Sequence, residues 1–322
     1  MENTETGWTW GDPIPSPEQA FFDVLGLRIH YYAIFILVGI AIALWIANTR
    51  LVRRGGESGL VIDIALWAVP FGIIGGRAFH VLTHLSDYFG PNIDPLEALK
   101  IWNGGLAIYG ALIFGAVGAY IGAKRARLSF LSLADVLAPG ILLAQAIGRW
   151  GNYFNQELFG RPTDLPWALK IDRPNPAIPD GLPSDAVFHP TFFYEFLWSI
   201  AGVIILLILD KRLNLRWGRL FGLYLIYYSI GRFWIENLRI DPSDVYLGLR
   251  TNQWSAVVGI LIGVALIVWS VRRHHGIELS VYTSEPAPSE DAEDSSDSEP
   301  AEGSETDEKS NQIESDETSS KK

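Results

Sequence analysis

Three polar side chains of different chemistry stand close together at the end of a long apolar segment. Arg149, Asn152 and Glu157 lie within residues 148–160, directly after the apolar residues 131–147. An ionisable group at membrane depth is expensive and usually faces a cavity in which it has a function. A lone arginine that reaches the lipid headgroups is the ordinary alternative. The neighbouring amides and carboxylate favour a functional site.

A second polar group lies on one face of a single predicted helix. Tyr228, Arg232, Glu236 and Arg239 follow one another at spacings of four, four and three residues, and residues so spaced share a helical face. This face is polar although the surrounding segment is apolar. Further polar residues fall at the ends of apolar segments on the same predicted side of the membrane, namely Tyr31, Tyr32, Arg77, Tyr109, His189, Tyr194 and Glu195.

The arginines at this side of the membrane predict an anion site. Arginine binds a phosphate through two parallel hydrogen bonds and stays charged at any depth. The anion most available there is a phospholipid headgroup, so the residues alone predict a lipid phosphate as the substrate. Positive charge exceeds negative charge by one among the groups gathered at this side, which are Arg77, Arg149, Arg232, Arg239, Glu157, Glu195 and Glu236.

Two other interpretations of these residues stay open. Buried ion pairs, of which Arg232 with Glu236 is the obvious example, could fix the register of the helices and do nothing more. A lipid or anion transporter could use the same arginines as its substrate site. The sequence shows no repeated halves and no matching pair of interrupted helices, which speaks weakly against a transporter.

The residue types exclude several other chemistries. The chain has no cysteine, which excludes disulfides, thiolate metal sites and a cysteine nucleophile, so any reacting thiol must come from a substrate. His80 and His84 are four residues apart but have no adjacent carboxylate or third histidine, so we expect no metal. We also expect no cofactor and no nucleic-acid partner.

Long apolar segments must position these polar residues. The chain of 322 residues is 49% hydrophobic and repeatedly runs about 20 residues with few charges, the length that spans a bilayer. Lysines and arginines cluster in alternate loops, which puts the N-terminus outside and the C-terminus in the cytoplasm. The sequence therefore predicts an all-α polytopic membrane protein with seven transmembrane helices, at residues 31–46, 60–82, 102–123, 131–150, 191–209, 220–238 and 254–271.

The segments outside the predicted helices differ in composition. We expect an extracytoplasmic N-terminal arm at residues 1–27, a seven-helix transmembrane domain at 28–275 and, within it, a small proline-rich extracytoplasmic head at 158–190. Residues 276–322 are predicted to form a disordered acidic cytoplasmic tail. From residue 285 onward this tail carries 14 acidic and 3 basic residues, which accounts for the whole formal charge of −11.

The motif at residues 148–160 resembles the signature of the bacterial prolipoprotein diacylglyceryl transferases. The matching positions in it are Gly148, Arg149, Gly151, Asn152, Asn155, Glu157 and Gly160. Similar landmarks occur in order along nearly the whole membrane core, at His30 to Tyr32, Gly75 to Arg77, Gly104 to Gly110, His189 to Thr191, Tyr194, Glu195, Arg232, Phe233, Glu236 and Arg239.

The resemblance implies a reaction and two substrates. Members of the family transfer the diacylglyceryl group of phosphatidylglycerol to the lipobox cysteine thiol in the signal peptide of a prolipoprotein, forming a thioether and releasing glycerol phosphate. This is the first step of lipoprotein maturation. It also implies a multi-pass protein of the bacterial plasma membrane whose active site faces the extracytoplasmic leaflet.

The resemblance also implies the site residues. Arg149 and Arg232 are expected to clamp the phosphate, with Glu157 and Glu236 orienting the arginines. The expected catalytic residues are Arg149, Arg232, Tyr109, Tyr32 and Glu236. The expected phosphatidylglycerol-binding residues are Arg149, Asn152, Glu157, Gly160, Arg77 and Arg239.

Position 109 departs from the family pattern. Many relatives carry a histidine, often proposed as the base, where this chain has Tyr109. A phenol whose pKa is about 10 is a poor base at neutral pH. Either Tyr109 serves as a hydrogen-bond donor, or the thiol proton leaves by another route, such as a glutamate or the phosphate.

Overall fold

The computed structural model describes residues 12–90, 94–276 and 278–283, and helices dominate this part of the chain. Seven of its α-helices are 18 to 25 residues long, and an eighth has only four residues. The helices are α1 (Tyr31–Arg53), α2 (Leu60–Thr83), α3 (Leu85–Tyr88), α4 (Ile108–Arg125), α5 (Phe130–Phe154), α6 (Thr191–Leu213), α7 (Arg219–Glu236) and α8 (Thr251–Arg273).

Five of the long helices can cross a membrane, as judged by length and composition. These are α1, α2, α5, α6 and α8. The other two long helices, α4 and α7, have 18 residues each, and α7 carries Arg219, Arg232 and Glu236. The structure thus confirms a helical polytopic membrane protein. Seven spans and their orientation stay predictions.

One predicted helix begins later than the sequence indicates. The segment expected at residues 102–123 becomes helical only at Ile108, and the residues before it form short 3-10 turns at Pro95–Leu99 and Ile101–Asn103. Gly104 and Gly105 have φ angles of 86° and 74°, a backbone conformation outside the right-handed helix. The two glycines therefore separate the turns from α4.

Two short β-hairpins were not predicted. The first pairs β1 (Phe21–Val24) with β2 (Leu27–His30), and the second pairs β3 (Val245–Tyr246) with β4 (Leu249–Arg250). Each turns through a leucine and a glycine that both have positive φ, as a two-residue turn between right-twisted strands requires. Each leads directly into a long helix, so the hairpins fix where α1 and α8 begin.

Glycines bring α2 and α4 into backbone contact along their length. A Cβ atom added to Gly75 would lie 2.7 Å from the carbonyl oxygen of Gly110, and one added to Gly118 would lie 2.6 Å from that of Trp67. Later residues of α4 meet earlier residues of α2, so the two helices run antiparallel. The glycines thus allow the two helix backbones to approach closely.

The other long helices meet so that their polar ends gather at one end of the bundle. The ring of Tyr31, at the start of α1, lies 4.5 Å from the ring of Phe154, at the end of α5. The start of α6 and the end of α7 reach the same region through the ion pairs described below. We call this region the site end; it comprises residues 149–160, 189–195, 232–241 and 250–255.

A second ionic cluster holds the opposite end of the bundle. Arg50 and Arg54 of the α1 end contact the two carboxylate oxygens of Asp210 at 2.9 and 3.0 Å. Asp135 of α5 accepts hydrogen bonds from the backbone N–H groups of Gly218 and Phe221 at 2.8 and 2.9 Å. A carboxylate from α5 therefore caps the first turn of α7.

Two segments beside the helices are also described. Residues 158–190 contain only isolated bridges, and the rings of Phe159 and Phe188 form the centre of their apolar core. Residues 278–283 pair with the loop before α5, where Ser129 donates to the carbonyl of Val281 at 2.8 Å. Val281 is buried, so the region predicted as a tail from residue 276 is in part packed against the bundle. Residues 284–322 lie outside the described part.

Candidate active site

One carboxylate joins the two arginines predicted to clamp a phosphate. Arg149 Nε lies 2.6 Å from Glu195 Oε2, and Arg232 Nη1 lies 3.5 Å from Glu195 Oε1. Arg149 comes from α5, Arg232 from α7 and Glu195 from the first turns of α6. The arginine side chains keep 18% and 15% of their surface exposed, whereas Glu195 is buried. Both guanidinium groups can therefore still reach a ligand.

A second carboxylate, fully buried, lies between two arginines and also accepts a hydrogen bond from an amide. Arg232 Nη2 lies 3.0 Å from Glu236 Oε2, and Arg250 Nε lies 3.0 Å from Glu236 Oε1. Asn252 also donates its side-chain N–H to Glu236 Oε1 at 3.1 Å. Each carboxylate oxygen thus has its own arginine, one from α7 and one from the start of α8. The predicted contact of Glu236 with Arg232 is observed.

The backbone after α7 completes the ionic network. Arg239 Nε lies 2.7 Å from Asp241 Oδ1 and 3.9 Å from Glu236 Oε2. Arg250 contacts Asp241 Oδ2 at 3.3 Å and donates to the carbonyl oxygens of Arg239 and Asp241 at 2.7 and 2.6 Å. Arg239 is almost fully buried among these partners, which leaves it little surface for a lipid phosphate.

The amides of the motif extend the network from Arg149. Arg149 Nη1 donates to Asn152 Oδ1 at 3.2 Å, and the Asn152 amide donates to Glu157 Oε1 at 2.8 Å. Asn155 donates to the same oxygen at 3.2 Å. Glu157 thus fixes the orientation of the two amides, and the carboxylate in direct contact with Arg149 is Glu195.

The ion-paired groups of the site keep a small positive surplus. Four arginines, at positions 149, 232, 239 and 250, form ion pairs with three carboxylates, at 195, 236 and 241. Glu157, which joins the network through Asn152 and Asn155, is a fourth carboxylate. The network as a whole therefore balances its charges, as a buried ionic network usually does.

Gly160 allows three chain segments to meet. Its N–H donates to the carbonyl of His189 at 2.9 Å, and the residue bridges to Arg239. A Cβ atom here would lie 2.7 Å from His189 Cβ and 3.0 Å from the carbonyl oxygen of Leu238. The close approach that requires glycine is therefore between backbone segments, whereas contact with lipid stays a prediction.

Arg77 is engaged by the backbone of a loop. Its Nε donates to Ala98 O at 2.8 Å, and its Nη1 donates to Gly104 O and Gly105 O at 2.6 and 3.1 Å. Nη2 donates to Glu97 O at 2.6 Å. Four of the five guanidinium N–H groups thus hold the loop between α3 and α4, which leaves Arg77 poorly placed to bind a phosphate as well.

Tyr109 contacts α8 and no arginine. Its hydroxyl lies 2.7 Å from Ser255 Oγ, and Ser255 donates to Thr251 O at 3.1 Å. The tyrosine therefore acts as the donor to Ser255. Tyr32 packs against Gly151, whose added Cβ would lie 3.2 Å from Tyr32 Cα.

Three aromatic side chains linked by hydrogen bonds border the site at the start of α6. His189 Nδ1 lies 3.1 Å from the Tyr194 hydroxyl, which accepts a hydrogen bond from Trp167 Nε1 at 3.0 Å. Burial lowers the pKa of His189 below its ordinary value, so the ring is neutral at neutral pH. Within the described residues, no three histidine, cysteine, aspartate or glutamate side chains come together as a metal site.

Several members of the network escaped the sequence predictions. Asp241, Arg250, Asn252 and Ser255 were not assigned to the site, and Glu195 was noted without a direct contact to Arg149. Only a charge at the start of an apolar segment marked Arg250 in the sequence. Its partners lie 9 to 14 positions earlier, too far apart for a helical spacing rule to connect them.

Comparison with known proteins gives one consistent result. The family model for prolipoprotein diacylglyceryl transferases matches residues 19–269. Phosphatidylglycerol–prolipoprotein diacylglyceryl transferase 2 of Streptomyces coelicolor is 49% identical over 265 residues, which cover 82% of this chain and 83% of the relative. The transferase of Leifsonia xyli is 47% identical over 286 residues, covering 86% of each chain. That of Rhodococcus jostii is 48% identical over 80% of this chain and 73% of its own length.

Proposed function

Because the chain belongs to the prolipoprotein diacylglyceryl transferase family and is a transferase, we propose that it moves the diacylglyceryl group of phosphatidylglycerol to the lipobox cysteine of prolipoproteins. The peptide sulfur attacks the glycerol CH2 group that carries the phosphate ester. A C–S bond forms, the C–O bond breaks, and glycerol phosphate leaves with the electron pair. The chain itself has no cysteine, in keeping with a thiol that arrives with the peptide.

The observation that carries this proposal is the shared carboxylate between Arg149 and Arg232. The two guanidinium groups are spaced to hold both oxygens of Glu195, and the non-bridging oxygens of a phosphodiester present a similar pair of acceptors. The guanidinium groups would absorb the negative charge that develops on the departing phosphate. Stabilisation of developing charge by fixed donors is usually the largest single contribution to catalysis.

The remaining residues support this clamp in different ways. Asn152 offers an amide to the headgroup and is held by Glu157, while Glu236 orients Arg232 from the opposite side to Glu195. Tyr32, which packs against Gly151 two residues after Arg149, offers its hydroxyl to a lipid oxygen. With the hydroxyl of Tyr109 committed to Ser255, the thiol proton is assigned to a carboxylate of the network or to the phosphate.

The proposed setting is the bacterial plasma membrane, with seven spans and the site end towards the extracytoplasmic leaflet. The seven long helices coincide with the seven apolar segments of the sequence. The arginine-rich loops beside Arg50 and Arg212 lie at the end opposite the site, which the positive-inside rule assigns to the cytoplasm.

A reconstituted transfer assay tests the function directly. Purified protein in vesicles that contain labelled phosphatidylglycerol is incubated with a lipobox peptide, and the thioether product is scored by mass spectrometry. We expect product with the cysteine peptide and none with a serine control. Absence of product from folded protein would contradict the proposal. Movement of labelled lipid between leaflets without thioether would favour the transporter.

A further inference from the structure

We propose that Arg250 is a further positioning residue for the transfer reaction, one that holds Glu236 in place. The proposal rests on the proposed function. Arg250 is the last residue of β4 and directly precedes α8, outside the motifs that mark the rest of the site. In the described part of the chain, all of its contacts are with other residues of the protein.

The contacts of Arg250 tie three pieces of backbone together. Its Nε lies 3.0 Å from Glu236 Oε1, at the end of α7. Its Nη1 and Nη2 donate to the carbonyl oxygens of Arg239 and Asp241 at 2.7 and 2.6 Å, and Nη2 also contacts the Asp241 carboxylate. The planar guanidinium group donates to both carbonyl oxygens while its Nε stays in ionic contact with Glu236.

The position of Glu236 depends on this contact. Its side chain is fully buried, and one oxygen faces Arg232 while the other faces Arg250 and Asn252. With Arg250 removed, Glu236 Oε1 would keep only the amide of Asn252. We expect the carboxylate then to turn, and Arg232 to turn with it, away from Glu195. The spacing of the phosphate clamp would then change although no clamp residue had been altered.

The charge of Arg250 also acts locally on Glu236. Arg232 and Arg250 lie against opposite oxygens of this fully buried carboxylate. A buried carboxylate that loses one of two cationic partners is left under-compensated, which is strongly destabilising to its position.

Three variants test the role of Arg250. We expect Arg250→Gln to raise the KM for phosphatidylglycerol about thirtyfold or more, the usual effect of truncating one partner of a buried charged pair. Arg250→Lys keeps the charge and should recover part of that loss. Arg173→Gln is the matched control, because Arg173 is an exposed head arginine that donates to the carbonyl of Pro183 and lies outside the network.

Binding and stability measurements separate the possible outcomes. Binding of short-chain phosphatidylglycerol is measured for each variant by calorimetry, together with the Tm in detergent. A parent-like KM and affinity in Arg250→Gln would overturn the proposal, as would Arg250→Lys behaving like Gln at an unchanged Tm. If Arg250→Gln fails to fold, the KM of Arg250→Lys for phosphatidylglycerol tests the proposal instead. A parent-like value would contradict it. If the unmodified protein forms no thioether, the proposed function is contradicted. The role of Arg250 is then still tested, because phosphatidylglycerol binding by the variants is measured without the transfer reaction.

Discussion

Glu195 accepts Arg149 through one oxygen and Arg232 through the other, so a single side chain sets the distance between two guanidinium groups. Arg149 is also held by Asn152, and Arg232 by Glu236. Each arginine is thus held from two directions before any lipid arrives. Such preorganisation lowers the reorganisation that binding and catalysis would otherwise require.

Replacing either clamp arginine by lysine should remove most activity. We expect Arg149→Lys and Arg232→Lys each to lower kcat/KM about a hundredfold, because a point charge cannot bind a carboxylate and a phosphate through a planar fork. Rates of thioether formation measure the effect. Arg53→Lys, an exposed arginine at the other end of α1, serves as the control. Parent-like turnover in both clamp variants would contradict the clamp.

Tyr109 should act through its hydrogen bond to Ser255 without ionising. We expect Tyr109→Phe to lower turnover about threefold, since a neutral hydrogen bond contributes about 0.5 to 1.5 kcal/mol. Tyr109→His should retain more activity because histidine can donate to Ser255. The rates are measured from pH 6 to 10, and Ser255→Ala with the double variant completes a cycle.

Two outcomes would contradict this role for Tyr109. Equal activity of Tyr109→Phe and the parent at every pH would make position 109 a packing position. A parent rate that rises with a phenol-like pKa, and a Phe variant without that rise, would make Tyr109 the base. Additive losses in the double variant would show that Tyr109 and Ser255 act separately.

At the scale of elements, apolar length predicted the helices well and the connections poorly. The starts of α2 and α6 fall at the predicted residues, since charges and a proline bound those segments. The hairpins and the late start of α4 depend on positive φ angles at Leu25, Leu247 and Gly104, which periodicity does not encode. Arg250 likewise joins the site through a turn, so its partners could not be found from helical spacing.

The glycine contact between α2 and α4 predicts different effects of alanine substitution at two glycines of α4. A Cβ at Gly110 would overlap the carbonyl of Gly75, whereas one at Gly115 would lie 3.6 Å from its nearest neighbour, an ordinary contact. We expect Gly110→Ala to destabilise the protein by about 1 to 3 kcal/mol, as overpacking does, and Gly115→Ala to be tolerated. Unfolding in detergent with increasing SDS gives both values. Equal stability of the two variants would contradict the backbone contact.

At the scale of the whole molecule, the proposed orientation can be tested without background labelling because the chain has no cysteine. Ser184 in the head and Ser58 between α1 and α2 are both exposed. We expect Ser184→Cys in intact cells to react with a membrane-impermeant maleimide, and Ser58→Cys to react only after lysis. The reverse pattern would invert the topology, and equal labelling from outside would contradict an odd number of spans between them.

Truncation should distinguish the packed residues 278–283 from the acidic segment after them. Removal of everything after Thr283 should leave activity and insertion intact, because the acidic composition predicts no packed surface there. Removal after Gly276 also deletes Val281, and we expect a loss of about 2 kcal/mol, the value of burying one such side chain. The activity and the Tm of both truncated proteins are measured to compare the two segments. A first truncation that inserts but is inactive would assign the acidic segment a function.

The capped start and charged end of α7 bear on the order in which the bundle is assembled during synthesis. With Arg219, Arg232 and Glu236 in 18 residues, α7 is poorly suited to enter the bilayer alone. Asp135, which caps its first turn, and Glu195, which pairs with Arg232, belong to helices that leave the ribosome earlier. If α7 spans the membrane as proposed, we expect the translocon to release it beside partners already in place, and α8 to follow with Arg250 and close the assembly.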